Sequence, residues 1–287
     1  MNTNRLSLLA AVVALGLFVP QALAITGGEV DKNNTYSNVG AIIVIYSPFP
    51  EDQCPWAAGT GILIHPRVLL TAGHVTAVFE ASWEQGIGIP DDLRVSFGVN
   101  AYDPKTWLEI EGVITHPAFH DVNPKQIANA PFLNDVGVVI LKKPVRHVPL
   151  AVLPAVGLLD ELKAAGLLRE PALGGTKFTV VGYGQTLDRS PPQLIDPDGL
   201  RRVAVSEYRA LREGWLYLNQ NFATGDGGTG WGDSGGPTFW KEPATGEQIL
   251  VSVCSRGDPL CVATGNTWRV DTSATLDFIA VVLAMME

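Results

Sequence analysis

Three short segments of this chain carry the residues best suited to covalent chemistry. Ser234 lies among glycines and directly after a carboxylate in the segment Gly232–Pro237. A serine hydroxyl is a weak nucleophile on its own, so it needs a base to take its proton and a third group to orient that base. His74 follows an apolar run, and Asp135 stands at the head of a strand-like run. The sequence therefore predicts acyl transfer by groups in the chain order histidine, aspartate, serine.

The aspartate and the serine each have a competing interpretation. Asp135 is preferred because the small and apolar residues that follow it would bury its carboxylate; the other aspartates considered are Asp91, Asp92, Asp103 and Asp121. The pattern Gly-x-Ser-x-Gly at 232–236 also fits the nucleophile elbow of α/β-hydrolases, but that fold needs its histidine after the serine. All five histidines precede Ser234, so the elbow interpretation fails on chain order.

The elements that must position these groups are predicted to be mainly short strands. Segments rich in Val and Ile, separated by Gly, Pro, Asn and Asp, are Ala41–Tyr46, Thr60–Ile64, Leu93–Gly98, Leu108–Ile114, Val136–Leu141, Lys177–Gly182 and Gln248–Val253. Many short strands at this spacing predict antiparallel barrels or sandwiches. Helical patterns are expected only at Leu158–Leu168 and from Ser273 to the C-terminus.

In this order, the serine and histidine motifs resemble the chymotrypsin/trypsin-like family of serine peptidases. Weaker landmarks support the resemblance at Ile25–Gly28, Ile114–Pro117 and Val181–Gly184. The resemblance implies an all-β fold of two six-stranded antiparallel β-barrels with a C-terminal helix. Residues 25–150 would form the barrel that carries the histidine and the aspartate, and residues 151–287 the barrel that carries the serine.

The resemblance also implies a role for each site residue. Ser234 would be the nucleophile, His74 the general base and Asp135 the group that orients the imidazole, while the amides of Gly232 and Ser234 would form the oxyanion hole. Substrate-binding residues are expected at Gly228, Thr229, Trp231, Ser255, Arg256 and Gly257. Counting back from the serine puts the pocket floor near Gly228 or Thr229, so an uncharged side chain is the expected preference.

The N-terminus has the pattern of a signal peptide. Residues 1–24 contain one charge, Arg5, then an apolar run too short for the roughly 20 residues of a membrane span, then small residues up to Ala24. We therefore expect a secreted or periplasmic protein whose mature chain starts at Ile25. In the family the residue before the serine pairs with the mature N-terminal amine, which predicts an Ile25–Asp233 pair created by export itself.

Charge and composition exclude several partners. The formal net charge of −9 disfavours nucleic acid, and no basic run argues otherwise. His116 and His120 are four residues apart, but they lack a third ligand and a helix to align them, so neither a metal nor any other cofactor is expected. We expect a monomer that acts on protein or peptide substrates and, after loss of the leader, does not bind a membrane.

Two questions stay open on sequence alone. Cys54, Cys254 and Cys261 permit one intramolecular disulfide, and Cys254–Cys261 is one of the pairings available in an exported protein. The leading hypothesis is a secreted serine endopeptidase. Its alternatives are a catalytically silent protease-like binding protein and an esterase on the same fold.

Overall fold

The computed structural model describes residues 23–47, 54–119, 133–189, 192–195 and 197–287. The strands in these residues are β1 Leu23–Ala24, β2 Glu29–Val30, β3 Val39–Val44, β4 Trp56–His65, β5 Val68–Thr71, β6 Leu93–Ser96, β7 Trp107–Thr115, β8 Gly137–Leu141, β9 Lys177–Gly182, β10 Thr186–Arg189, β11 Pro192–Ile195, β12 Arg202–Leu211, β13 Trp215–Asn219, β14 Pro237–Lys241, β15 Gln248–Gly257 and β16 Thr264–Arg269. The helices are α1 Gly73–Glu84, α2 Leu158–Ala164 and α3 Ser273–Ala284. His120 and Asp121 lie outside the described residues.

The first barrel is closed by six antiparallel strands in the order β3-β4-β5-β8-β7-β6. Every residue of β3, β5 and β8 is buried, which explains why these segments read as continuous apolar runs. Side chains such as Ile42, Leu63, Leu69 and Val139 fill its interior. Burial of such side chains is the main stabilising term for a barrel of this size.

The second barrel has the strand order β13-β16-β15-β14-β9-β12 and closes through the pairing of β12 with β13. The short strand β2 adds to the edge of β12, where Arg202 lies opposite Val30. The N-terminal residues of the first half thus run along the second barrel. The two antiparallel barrels and the C-terminal helix confirm the fold class predicted from sequence.

The helices differ from the sequence prediction in one respect that matters for the site. Helix α1 was not predicted, although Val75, Phe79 and Trp83 recur every four residues and pack together against the first barrel. That spacing is the signal of a helix with one buried face. Helix α2 is found where expected but ends at Ala164.

Helix α3 connects the C-terminus to the first barrel. Thr272 caps it by accepting a hydrogen bond from the Thr275 amide at 3.3 Å. Phe278 packs on His116 of the first half, with ring centroids 5.0 Å apart. Among the described residues, no helix has the length and apolar character needed to cross a bilayer.

Candidate active site

Strand pairing brings His74 and Asp135 to one edge of the first barrel. Thr71 at the end of β5 lies opposite Gly137 at the start of β8. In an antiparallel pair, the residues just after one strand lie beside those just before the other. His74 in the first turn of α1 and Asp135 before β8 therefore meet, and the His74 amide donates to Asp135 Oδ1 at 2.8 Å.

The two side chains continue this contact to the serine. His74 Nδ1 is 2.9 Å from Asp135 Oδ2, and His74 Nε2 is 2.8 Å from Ser234 Oγ. Asp135 is fully buried, and its carboxylate also accepts a hydrogen bond from the Ser255 hydroxyl. The structure thus brings together the three residues that the sequence singled out.

The ionisation of Asp135 determines which imidazole nitrogen carries the proton. Burial opposes the charged carboxylate, but the charge of His74 and the hydrogen bonds from His74 and Ser255 outweigh it and lower the pKa of Asp135. An ionised carboxylate only accepts hydrogen bonds, so the proton of a neutral imidazole lies on Nδ1. Nε2 then presents its lone pair to the Ser234 hydroxyl.

The serine loop is fastened to the first barrel. The Thr60 amide of β4 donates to the Ser234 carbonyl at 2.8 Å, and the Thr60 hydroxyl donates to the Gly232 carbonyl at 3.1 Å. Gly235 has φ +80°, and a Cβ there would lie 2.0 Å from Thr71 Oγ1. Only glycine fits such a backbone in so little space. The nucleophile is therefore held by both barrels.

The backbone around Ser234 contains two amides that are not used among the residues that the structure describes. Gly232 has φ +92°. Within the described part of the chain, neither the Gly232 amide nor the Ser234 amide donates to a protein acceptor. Two unused amides flanking a nucleophile can receive the oxygen of an attacked carbonyl.

Asp233 points away from the reacting groups and is completely buried. Its carboxylate accepts hydrogen bonds from the Gly184 and Gly230 amides, each at 2.7 Å. Burial raises the pKa of Asp233 to about 7, although these amides act in the opposite direction. Among the described residues, no basic group forms an ion pair with it. Sequence reasoning missed the two amide donors.

The segment after the predicted leader is buried beside the loop that leads to Asp233. Ile25 is fully buried, and the Gly228 amide donates to the Thr26 carbonyl at 2.8 Å. The Thr26 hydroxyl donates to the Cys261 carbonyl at 2.9 Å. In this intact chain the Ile25 nitrogen is an amide joined to Ala24.

A cavity of about 410 Å³, here called the primary cavity, opens beside the reacting groups. Its lining residues are His74, Thr229, Gly230, Trp231, Ser234, Cys254, Ser255, Arg256, Gly257, Asp258, Pro259 and Cys261. Five of the six expected substrate-binding residues are among them, and Gly228 is not. Asp226 does not line the cavity; its carboxylate accepts from Asn219 Nδ2 at 2.6 Å. The lining includes the uncharged Thr229, Cys254 and Cys261, and its charged members are Arg256 and Asp258.

Gln220 lies directly behind this floor and was missed by sequence reasoning. Its Nε2 donates to the carbonyls of Thr229 and Cys261 at 2.9 and 3.3 Å. A Cβ on Gly228 would be 2.1 Å from Gln220 Cγ, and one on Gly265 would be 2.2 Å from Gln220 Oε1. This buried oxygen has no hydrogen-bond partner among the described residues. Gln220 fills the space below the cavity from a position just after β13. Its distance from Ser234 along the sequence follows no known motif, so no sequence signal points to it.

The three cysteines form no disulfide, and the two buried ones carry no reactive thiolate. No disulfide forms among Cys54, Cys254 and Cys261, so the Cys254–Cys261 pairing considered from sequence is absent. Burial raises the pKa of both Cys254 and Cys261, the latter to about 12, so neither is a reactive thiolate. No cluster of three metal-ligating side chains occurs in the part of the chain that the structure describes.

Two closed six-stranded antiparallel barrels with a cleft at their junction define the class of trypsin-like folds. A comparison with protein-family models agrees with this class, since the model described as Trypsin matches residues 53–271. That match covers more than half of the chain, and the chain belongs to the trypsin family, a family of serine peptidases. No curated protein matches it.

Proposed function

We propose that this chain is a secreted serine endopeptidase that hydrolyses peptide bonds through an acyl-enzyme at Ser234. The observation that carries the proposal is the continuous contact from Asp135 through His74 to the serine hydroxyl, with separations of 2.9 and 2.8 Å. A buried acceptor, an imidazole and a hydroxyl in this order form a proton-transfer chain that activates the hydroxyl.

The proposed reaction has two halves. Ser234 Oγ attacks the scissile carbonyl carbon while His74 Nε2 takes the hydroxyl proton, and the amides of Gly232 and Ser234 bind the resulting oxyanion. His74 then protonates the leaving nitrogen, which releases the amine and leaves the acyl-enzyme. Water attacks the ester in the same way and frees the acid and the serine. Asp135 stabilises the imidazolium in both halves.

Labelling with a fluorophosphonate tests this proposal. Ser234 Oγ displaces fluoride only when a base removes its proton, so mass spectrometry should find the adduct on the Ser234 peptide. The matched control is Ser234→Ala, in which the adduct should be lost. Failure of the folded, processed protein to react would favour the binding protein, and turnover of esters without peptides would favour the esterase.

The proposed activation uses the predicted leader. Removal of residues 1–24 would free the Ile25 amine, and this cation would pair with the buried carboxylate of Asp233 and order the oxyanion amides. Support comes from the burial of both residues and from the lack of a cationic partner for Asp233 among the described residues. A buried carboxylate without such a partner is costly.

Two matched chains test the activation step. A chain starting at Ile25 should be active, and a chain starting at Ala24 should have much lower kcat because its amine is displaced by one residue. Activity of the Ile25 chain should decline at alkaline pH as the amine, with an ordinary pKa of about 8, loses its proton. Equal activity of the two chains, or secreted active protein that starts elsewhere, would contradict the mechanism.

The proposed substrates are proteins or peptides with an uncharged side chain in the primary cavity. The support is that Thr229, at the position expected for the cavity floor, is uncharged and that Asp226 is not among the lining residues but bonds to Asn219. Cleavage of a peptide library measures this preference, and strict cleavage after Arg or Lys would contradict it. We further propose that the mature protein is monomeric and located outside the cytoplasm.

A further inference from the structure

A groove of about 590 Å³ continues from the primary cavity and has three arginines among its lining residues. The two spaces share the four residues Arg256–Pro259. The groove does not touch His74 or Ser234. It is here called the arginine groove, after Arg209, Arg212 and Arg256, which line it.

Strand register sets the arginine groove on one face of the second barrel. Arg256 of β15 lies opposite Asn266 of β16, and Asn266 has Tyr217 of β13 on its other side. Tyr217 in turn lies opposite Ala210 of β12. Four residues aligned across four strands form a fixed floor, so the groove is a built feature of the sheet and belongs to the same rigid scaffold as the cleft.

The charge of the groove is positive although the chain as a whole is negative. Arg209 and Arg212 are exposed, and no described carboxylate lies within ion-pair distance of either. The Arg209 guanidinium contacts the Thr264 hydroxyl, which fixes its position at the groove wall. On a chain with a formal net charge of −9, this is a local reversal of sign.

One acidic residue lines the groove, and its charge is already compensated. Asp258 accepts hydrogen bonds from the amides of Val262, Ala263 and Thr264 at 2.8 to 3.2 Å. Burial opposes its ionisation, but these backbone donors outweigh it and lower the pKa of Asp258. The carboxylate thus accepts hydrogen bonds from its own loop, and Arg209 and Arg212 have no described carboxylate within ion-pair distance.

We propose that the arginine groove binds acidic side chains of the substrate on the acyl side of the scissile bond, which makes this protein selective for acidic peptide segments. The inference rests on the proposed function. In the proposed function the residue whose carbonyl meets Ser234 would place its side chain in the primary cavity, and the arginine groove shares Arg256–Pro259 with that cavity without reaching His74 or Ser234. Arginine forks pair with carboxylates in bidentate geometry, which suits Asp and Glu.

Matched peptides test the inference by the ratio of kcat/KM values. Two peptides share one sequence and differ only in having Glu or Lys at the second to fourth residues before the scissile bond. Exposed pairs are individually weak, so Arg209 and Arg212 together predict a preference for the Glu peptide of roughly 10-fold at low ionic strength. Because salt screens such pairs, the ratio should shrink at 0.5 M NaCl, where the screening length is only about 4 Å.

Substitutions assign the preference to the groove. Arg209→Gln with Arg212→Gln should move the ratio toward one, and Arg209→Glu with Arg212→Glu should move it further. Arg146→Glu is the control for the double Gln variant, because both lower the net charge by two and Arg146 is an exposed arginine that lines neither space. A ratio near one in the unaltered protein, or an equal change in the Arg146 variant, would overturn the inference.

A binding measurement separates this inference from the proposed reaction. Fluorescence anisotropy with the labelled Glu and Lys peptides on the Ser234→Ala variant needs no catalysis. Tighter binding of the Glu peptide, lost with Arg209→Glu and Arg212→Glu, would support the groove even if Ser234 failed to react with the fluorophosphonate. Equal binding of the two peptides would overturn the groove while leaving the peptidase proposal intact.

Discussion

The reacting end of the cleft and the floor of the primary cavity are built in different ways. At the reacting end, the side chains of His74, Asp135 and Ser234 have defined partners, and the serine loop is tied to β4 through Thr60. At the cavity floor, the oxygen of Gln220 is buried without a partner among the described residues, and the neighbouring groups are thiols and backbone. The same cleft thus contains, within the described part of the chain, polar side chains whose hydrogen bonds are satisfied at the reacting end and one whose oxygen is unsatisfied at the cavity floor.

This difference predicts which substitutions lower kcat and which change the preference among substrates. Removing one member of a saturated buried network leaves its partners unpaired, which costs more than the mean value of a hydrogen bond. At the cavity floor the Gln220 oxygen has no partner to lose among the described residues, so side chains there can be changed without breaking the hydrogen bonds of the reacting residues. Changes at the reacting end should therefore lower kcat for every substrate, whereas changes at the floor should redistribute activity among substrates.

The largest expected effect is that of Asp135→Asn. The amide can donate as well as accept, so it favours the wrong imidazole tautomer while keeping the shape of the side chain. We expect kcat to fall by roughly 10⁴-fold, as in the same substitution of other triads. Steady-state kinetics on one peptide measures it, with Asp103→Asn as the matched control at an exposed turn. A loss below about tenfold would show that the network is not the source of activity.

The second effect concerns Asp233 in a chain that retains Ala24. Its folded pKa of about 7 lies above the ordinary value of 3.8, so the folded state keeps a proton that the unfolded state releases. The resulting stability is complete below pH 3.8 and is lost as the pH rises through 7, by an amount on the order of a few kcal/mol. Urea unfolding at a series of pH values measures it.

Asp233→Asn is the control for that experiment, because the amide cannot ionise. The variant should lack this loss of stability between pH 4 and 7. If the variant and the unaltered chain lost the same free energy of unfolding over this range, Asp233 would not be the titrating group.

The third effect is a change in substrate preference on shortening Gln220. In Gln220→Ala the space below the floor opens, and each buried methylene of a longer substrate side chain adds about 0.8 kcal/mol. We expect kcat/KM for Phe relative to Ala, at the residue before the scissile bond, to rise by about tenfold. Gln220→Met keeps the length of the side chain and should leave the ratio nearly unchanged. An unaltered ratio in the alanine variant would remove Gln220 from the determinants of specificity.

The smallest effect is expected for Ser255→Ala. This substitution removes one of the donors to Asp135 and leaves those of His74, so kcat should fall by about tenfold or less. The hydrogen bond lowers the pKa of Asp135, so its loss should raise that pKa, which an NMR titration of the Asp135 carboxyl measures. An unchanged pKa of Asp135 would mean that the Ser255 hydroxyl does not stabilise the ionised carboxylate.

The sequence predicts the fold because strands such as β3, β5 and β8 are buried on both sides and its motifs occur in a diagnostic order. Segments such as Lys177–Gly182 are found with the predicted bounds. Helix α1 was overlooked because Val75, Phe79 and Trp83 are separated by small and polar residues that conceal the four-residue spacing. Strand β12 was overlooked for a related reason, since Ser206, Glu207 and Arg209 interrupt its apolar residues.

The candidate site was predictable only where chemistry restricts the residue type. A nucleophile, a base and an orienting acid must be particular residues in a particular order, so the sequence alone identifies candidates for them. The floor of a cavity needs only to be filled, and many residue types can do so. Gln220 reaches it from the end of β13, a position that depends on how two barrels close and leaves no local pattern.

The hydrogen bonds from Thr60 to the serine loop have a consequence for how this protein loses activity. The reacting side chains come from both barrels. A slight separation of the barrels would therefore move the Ser234 hydroxyl away from the His74 imidazole while the core of each barrel stayed buried. Function should therefore vanish under milder stress than does the folded architecture, and return as soon as the halves close again.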